Sequence, residues 1–210
     1  LIMTAFYSGF KADTVDKYRD SIKAHFPSWR IVSGYTKRDI KNIMSDPEMI
    51  KNSKKINACV KNAEEFKQIV EKHGSFRKYV ELFKVEDSFD NLICLKKNLE
   101  SRFSYVSKVN VYHFMKDIGI PVLKPDRVIM RIFERLGLVY EDTQLISAIE
   151  HGIKFAEATQ LPIRYIDKIF VAFGQVARND LGIEKGICLS KERRRCEKCR
   201  AIFYCKFYKK

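Results

Sequence analysis

Apolar residues recur at helical spacing along most of the chain and nowhere alternate convincingly with period two, which predicts an all-α protein. Residues 1 to 7 read as a buried helix. Ser8-Gly9-Phe10-Lys11-Ala12 reads as a loop, and Asp13 as the N-cap of a helix from Thr14 to Phe26. Residues 27–35 have turn chemistry and hold the single tryptophan, Trp29. Thr36 with Asp39 three residues on predicts a capping box opening a short helix to Met44. Ser53 is the expected cap of a longer helix carrying Ile56, Val60, Ala63, Phe66, Ile69 and Val70 on one face, with Gly74 as its stop. Further helices are expected over 76–83 and 89–99, from a cap at Asp142 through Ala158, and over 161–174.

Composition narrows the picture. The 210 residues are 46% apolar and 12% aromatic, enough to bury a core in one or two lobes. Forty Lys and Arg against 26 Asp and Glu give a net charge of +14, the electrostatic footprint of a nucleic-acid partner. No apolar run of about 18 residues or more occurs, so no membrane span is expected. No signal-like segment opens the chain and four of its six cysteines fall in one pattern, so a reducing, intracellular compartment is expected. Cys59 and Cys94 sit in helical apolar patterns and read as buried core residues. The chain opens at Leu1 rather than Met, inside an apolar segment, which leaves open an upstream helix.

The pattern is Cys188, Cys196, Cys199 and Cys205, spaced C-x7-C-x2-C-x5-C. Four thiols this close suit a structural zinc or an iron–sulfur cluster. A zinc ribbon would bring two C-x2-C pairs, and here there is one, with single cysteines outside it. Between the first two cysteines lie Lys191, Arg193, Arg194 and Arg195, a cationic run suited to a phosphate backbone or, more simply, to solvent.

The one-two-one cysteine arrangement resembles the 4Fe-4S loop of the endonuclease III superfamily of DNA glycosylases, whose usual first gap is one residue shorter. Two upstream stretches extend the resemblance. Residues 103–119 look like the second half of a helix-hairpin-helix followed by a helix ending at Gly119. Ser104, Val106 and Ser107 stand where that motif places glycine, while Tyr112, Phe114, Met115 and Gly119 keep a pattern similar to 3-methyladenine DNA glycosylase I, a relative in the same superfamily. Residues 123–132, with Asp126 after Pro125, resemble the aspartate segment of the helix-hairpin-helix/Gly-Pro-Asp glycosylases. An Asp in that position is also a good helix cap whatever the function.

The resemblance implies two helical lobes with an active-site cleft between them. The first covers 1–120 with the helix-hairpin-helix at about 95–119; the second covers 121–210 with the cluster loop at 188–205. It implies a base-excision repair glycosylase that flips a damaged or mismatched base out of double-stranded DNA and hydrolyses its N-glycosidic bond, with Asp126 as the catalytic carboxylate, a 4Fe-4S cluster (zinc being the alternative metal) and a monomeric state. Alkylated purines are the expected substrate. Phe10 is the candidate to fill the gap left by the flipped base, Ser107 and Lys108 to contact phosphate, and Phe6 and Tyr7 to line the base pocket or the core. Lys108 lies 18 residues before Asp126, the separation at which bifunctional relatives carry a lyase lysine. Aligned through the hairpin, Val109 takes that place and a monofunctional enzyme is expected. The alternatives are a bifunctional glycosylase/AP lyase on oxidised or mismatched bases, a non-enzymatic metal-stabilised DNA-binding module, and an RNA-binding protein with a zinc knuckle.

Overall fold

The computed structural model describes residues 1–141, 144–176, 185–189 and 195–209. These are helical throughout, with no strand among the described residues, as the absence of period-two alternation predicts. The chain divides into two compact units, Leu1–Phe114 and Met115–Lys210.

The first unit is built around one long helix. Its helices are α1 (Ile2–Tyr7), α2 (Ala12–Lys17), α3 (Arg19–His25), α4 (Trp29–Val32), α5 (Lys37–Ser45), α6 (Ser53–His73), α7 (Phe76–Glu81) and α8 (Phe89–Arg102), followed by the start of α9 (Val109–Asp117). The predicted face of α6 is buried at Ile56, Cys59, Val60 and Ala63, where it meets Phe6, Ile22, Phe26 and Val32. Gly74 ends α6 with φ +79°, a conformation a side chain would resist. A second cluster of rings, Phe76, Phe103 and Phe114, packs with centroids 6.0–6.2 Å apart.

Several boundaries differ from those expected, each for a local reason. The capping box at Thr36 and Asp39 is present and opens α5. The cap of α6, however, is Asn52, whose side chain accepts from the Lys55 N–H at 3.0 Å, so Ser53 is the first helical residue. Asp13 lies inside the first turn of α2, where its charge faces the positive end of the helix, and is not the cap. The expected helix 14–26 is interrupted at Tyr18. The turn region 27–35 contains the short helix α4, capped by Ser28. Cys59 is buried, but Cys94 is exposed, because the buried stripe of α8 runs through Leu92, Leu95 and Leu99.

The second unit contains α10 (Arg127–Leu136), α11 (Leu145–Thr159) and α12 (Ile163–Gly174), then two short 3-10 turns at 196–198 and 202–204. Its core centres on Phe133 of α10, whose ring sits 5.0 Å from Phe170 and 5.9 Å from Phe155. Close approach of the helices depends on two missing side chains. A Cβ at Gly174 would lie 2.6 Å from Val128, and one at Gly152 only 2.2 Å from Leu123. The expected cap at Asp142 lies outside the described residues; α11 begins after Gln144.

Candidate active site and cysteine centre

Asp126 stands at the N-cap of α10, half-buried, with extended backbone (φ −82°, ψ 178°). Its Oδ1 accepts from the N–H groups of Val128 at 2.9 Å and Ile129 at 3.2 Å. Pro125 before it cannot continue a helix backwards, and Ile129, Ile132 and Phe133 after it supply the buried face. Both bonds fall on Oδ1, so the cap makes no use of Oδ2.

The segment leading into Asp126 is held by a residue that sequence reasoning missed. Asp167 on α12 is 3% exposed. It accepts from Lys116 Nζ at 2.9 Å and from the Lys124 backbone N–H at 2.7 Å. Its periodic position on α12 marked it only as one polar residue among several. Burial holds the Lys124 amine below the ordinary lysine value, an effect the nearby Asp126 charge partly opposes.

The inner face of α10 continues to the cysteines. Arg131 Nη2 donates to the carbonyls of Gly174 and, at 3.1 Å, Cys188. Arg135 Nη1 lies 3.2 Å from Cys188 Sγ and 2.8 Å from the Leu189 carbonyl, with its guanidinium 3.8 Å over the Phe207 ring. One helix thus presents a carboxylate at its start and two arginines that grip the first cysteine. Cys188, Cys196, Cys199 and Cys205 all line one small cavity with Arg135, Ile187, Ile202, Phe207 and Tyr208. Burial raises the Cys199 thiol, and the three neighbouring thiols push the same way. Among the described residues no group of three His, Cys, Asp or Glu side chains stands close enough together to hold a metal ion. Of the cationic run, Arg195 donates to the carbonyls of Lys185 (2.5 Å) and Gly186 (3.0 Å), while Lys191, Arg193 and Arg194 lie outside the described residues.

In the first unit the connection between α8 and α9 is a tight turn. Tyr105 and Lys108 adopt positive φ, +60° and +50°, the left-handed conformation for which glycine is the usual choice. Asn62 of α6, 2% exposed, holds this turn on both sides: its Oδ1 accepts from the Ser104 N–H at 2.8 Å and its Nδ2 donates to the Ser104 carbonyl at 3.0 Å. Ser107 and Lys108 are exposed at the tip. The Lys108 N–H is taken by the Glu100 carboxylate at 3.0 Å, so the side chain is the part of Lys108 that faces solvent.

The loop after α1 is anchored rather than free. Lys55 is 4% exposed. Its ammonium donates to the carbonyls of Ala5 and, at 2.5 Å, Ser8, and lies 5.1 Å from the Phe10 ring and 4.3 Å from that of Tyr105. Burial holds its pKa below the ordinary lysine value. Phe10 is half-buried against the core, and Phe6 is a core residue with no exposed surface. The Tyr7 hydroxyl donates to Asp16 and accepts from Arg19, each at 2.6 Å.

The methyladenine glycosylase family model matches residues 1–124, more than half of the chain. Among solved structures, 3-methyladenine DNA glycosylase I in complex with 3-methyladenine, determined as a tyrosine-to-phenylalanine variant, is 22% identical and is covered over 73% of its length against 57% of this chain, with a TM-score of 0.48. Two structures of the Staphylococcus aureus enzyme, one a glutamate-to-glutamine variant, have the same identity, TM-score and share of this chain, with 72% and 73% of their own lengths covered.

Proposed function

The chain belongs to the methyladenine glycosylase family and is a DNA N-glycosylase, a hydrolase, and we propose that it removes alkylated purines from duplex DNA without cutting the strand. The family match over residues 1–124 carries this reading. The charge of +14 agrees with a polyanionic substrate. No helix among the described residues is long and apolar enough to cross a membrane.

In this reading the protein binds the duplex backbone as a monomer and flips the target nucleotide out of the stack, which costs a few kcal/mol and least for a damaged base. Breaking the glycosidic bond leaves positive character on the sugar. A fixed carboxylate beside it stabilises that charge and orients the attacking water. Asp126 is assigned this role: Oδ1 is held by two backbone N–H groups, which aims Oδ2. Lys108, on an exposed tip with its backbone fixed by Glu100, contacts phosphate together with Ser107, and Arg195 and the cations before it contact the backbone near the cysteine loop. Phe10 follows Gly9, which has φ +77°. Leaving its seat against Lys55 would let its ring enter the stack vacated by the flipped base, and Tyr7 would line the base pocket.

The four cysteines hold a 4Fe-4S cluster in the same reading. An all-sulfur donor set around one cavity suits such a cluster or zinc. Arg135 Nη1, 3.2 Å from Cys188 Sγ, can donate a hydrogen bond to a cluster-bound sulfur. A bound cluster contributes stability and fixes the loop; the residues that act on the base are others. Metal, sulfide and visible-absorption analysis of the purified protein distinguishes iron–sulfur from zinc.

The functional test is excision from duplexes bearing 3-methyladenine, hypoxanthine, uracil, thymine glycol, or adenine opposite 8-oxoguanine, each with and without alkali. Release of 3-methyladenine, with strand breaks only after alkali, is the expected result. Release of none of these bases refutes the reading. Borohydride trapping of a covalent DNA adduct through Lys108 would replace it by the bifunctional one.

A further inference from the structure

The two most exposed rings among the described residues of the cysteine loop, Phe203 and Tyr204, have no role in the proposed base excision. Residues 202–204 form a single 3-10 turn between Cys199 and Cys205, closed by Tyr204 N–H to Ala201 and Cys205 N–H to Ile202, both at 3.1 Å. With three residues per turn, Ile202 faces the cysteine cavity, and its two successors are turned outward. Phe203 is 79% exposed and Tyr204 76%. So little of either ring is removed from water on folding that neither adds appreciably to the stability of the fold.

What surrounds them selects a partner. Lys198, Arg200, Lys206 and Lys209 are exposed on the same short segment, and Glu197 is the one acid between Arg195 and Lys209. Protein-binding patches gather aromatics but are depleted in lysine, whereas exposed rings among lysines and arginines suit a nucleic-acid strand. A duplex offers phosphate to the cations but hides its base faces from the rings. An unpaired strand offers both.

We infer that the Phe203–Tyr204 turn is a stacking platform for unpaired bases, with Lys198, Arg200, Lys206 and Lys209 set against the phosphates of the same strand. The inference shares with the proposed function only the premise that the partner is DNA. It gives the protein a single-strand site separate from base excision, suited to DNA that is open or gapped beside a lesion.

The test is fluorescence anisotropy of a labelled oligothymidine and of a hairpin duplex, titrated with the full chain over a range of salt. Phe203→Ala/Tyr204→Ala is compared with the aromatic-retaining pair Phe203→Trp/Tyr204→Trp. Stacking is worth about 1–3 kcal/mol per base, so the alanine pair should weaken single-strand binding by about 30-fold or more. Duplex binding and excision should stay within about twofold. The salt slope should stay unchanged, because no charge is removed, and the tryptophan pair should bind the single strand at least as well as the unmodified protein. Single-strand affinity unchanged in the alanine pair, or lost equally in both pairs, overturns the inference. A failed excision assay with this binding pattern intact would overturn the proposed substrate and leave the platform standing.

Discussion

Asp126 caps α10, and two substitutions separate that role from the chemical one proposed for it. Alanine removes the acceptor of the Val128 and Ile129 N–H groups. Loss of an N-cap of this kind costs about 0.5–2 kcal/mol, or a fall of about 1–8 °C in melting temperature for a chain of this size. Asparagine keeps an oxygen where Oδ1 stands and gives up the charge, whose interaction with the helix dipole is worth about 0.3–1 kcal/mol. The asparagine variant should therefore melt within about 3 °C of the unmodified protein. Its single-turnover excision rate should fall by about 100-fold or more, the scale on which removing one electrostatic contact to a developing charge acts, equivalent to about 2.7 kcal/mol of barrier. Calorimetry and single-turnover release from a 3-methyladenine duplex measure the two effects independently. Should Asp126→Asn retain its rate within about threefold while folded, the carboxylate is a cap and nothing more. Should it melt as low as Asp126→Ala, the account of the cap is wrong.

Other parts of the structure make equally direct predictions. Lys55→Met should lower stability by about 2 kcal/mol, because the carbonyls of Ala5 and Ser8 lose their buried donor; a melting temperature at or above that of the unmodified protein would contradict it. Gly152→Ala drives a Cβ to 2.2 Å from Leu123, and overpacking of this kind costs about 1–3 kcal/mol; excision should fall as well, since Leu123 lies three residues before Asp126. In acid, hydrogen bonds from Thr36 hold the Asp39 carboxyl below its ordinary value of 3.8, and His25 does the same for Asp46. Their stabilisation is complete above about pH 4 and is lost as pH falls through the lowered values. Asp39→Asn should flatten the acid limb of a pH–stability curve, and an unchanged slope below pH 4 would count against the capping box.

The legible parts of the sequence were those set by local rules. The capping box at Thr36, the stop at Gly74 and the apolar face of α6 follow from residues within a few positions of one another. Asp126 was legible for the same reason, as an Asp between a proline and an apolar run. What escaped was decided across distance. Asn62 holds Ser104 from 42 residues away, Lys55 reaches Ala5 from 50, and Asp167 holds Lys116 from 51; on its own helix each looks like any surface polar residue. The left-handed residues of the turn before α9 are Tyr105 and Lys108, and not Ser104, Val106 or Ser107, where the motif places glycine. The family match ends at residue 124, two residues before Asp126, so the carboxylate and the cysteines belong to a part of the chain that must be read from its own chemistry.

Asp167 has a consequence for how the region around Asp126 moves. Its carboxylate joins α12 to the end of α9 and to the strand-like approach at Lys124. The Lys124 amide can therefore exchange its hydrogen with solvent only when the hold of α12 is released. In a hydrogen-exchange experiment that amide should be as slow as the centre of α12 instead of as fast as its neighbours in the connecting segment, so the approach to Asp126 opens together with the helix behind it or not at all.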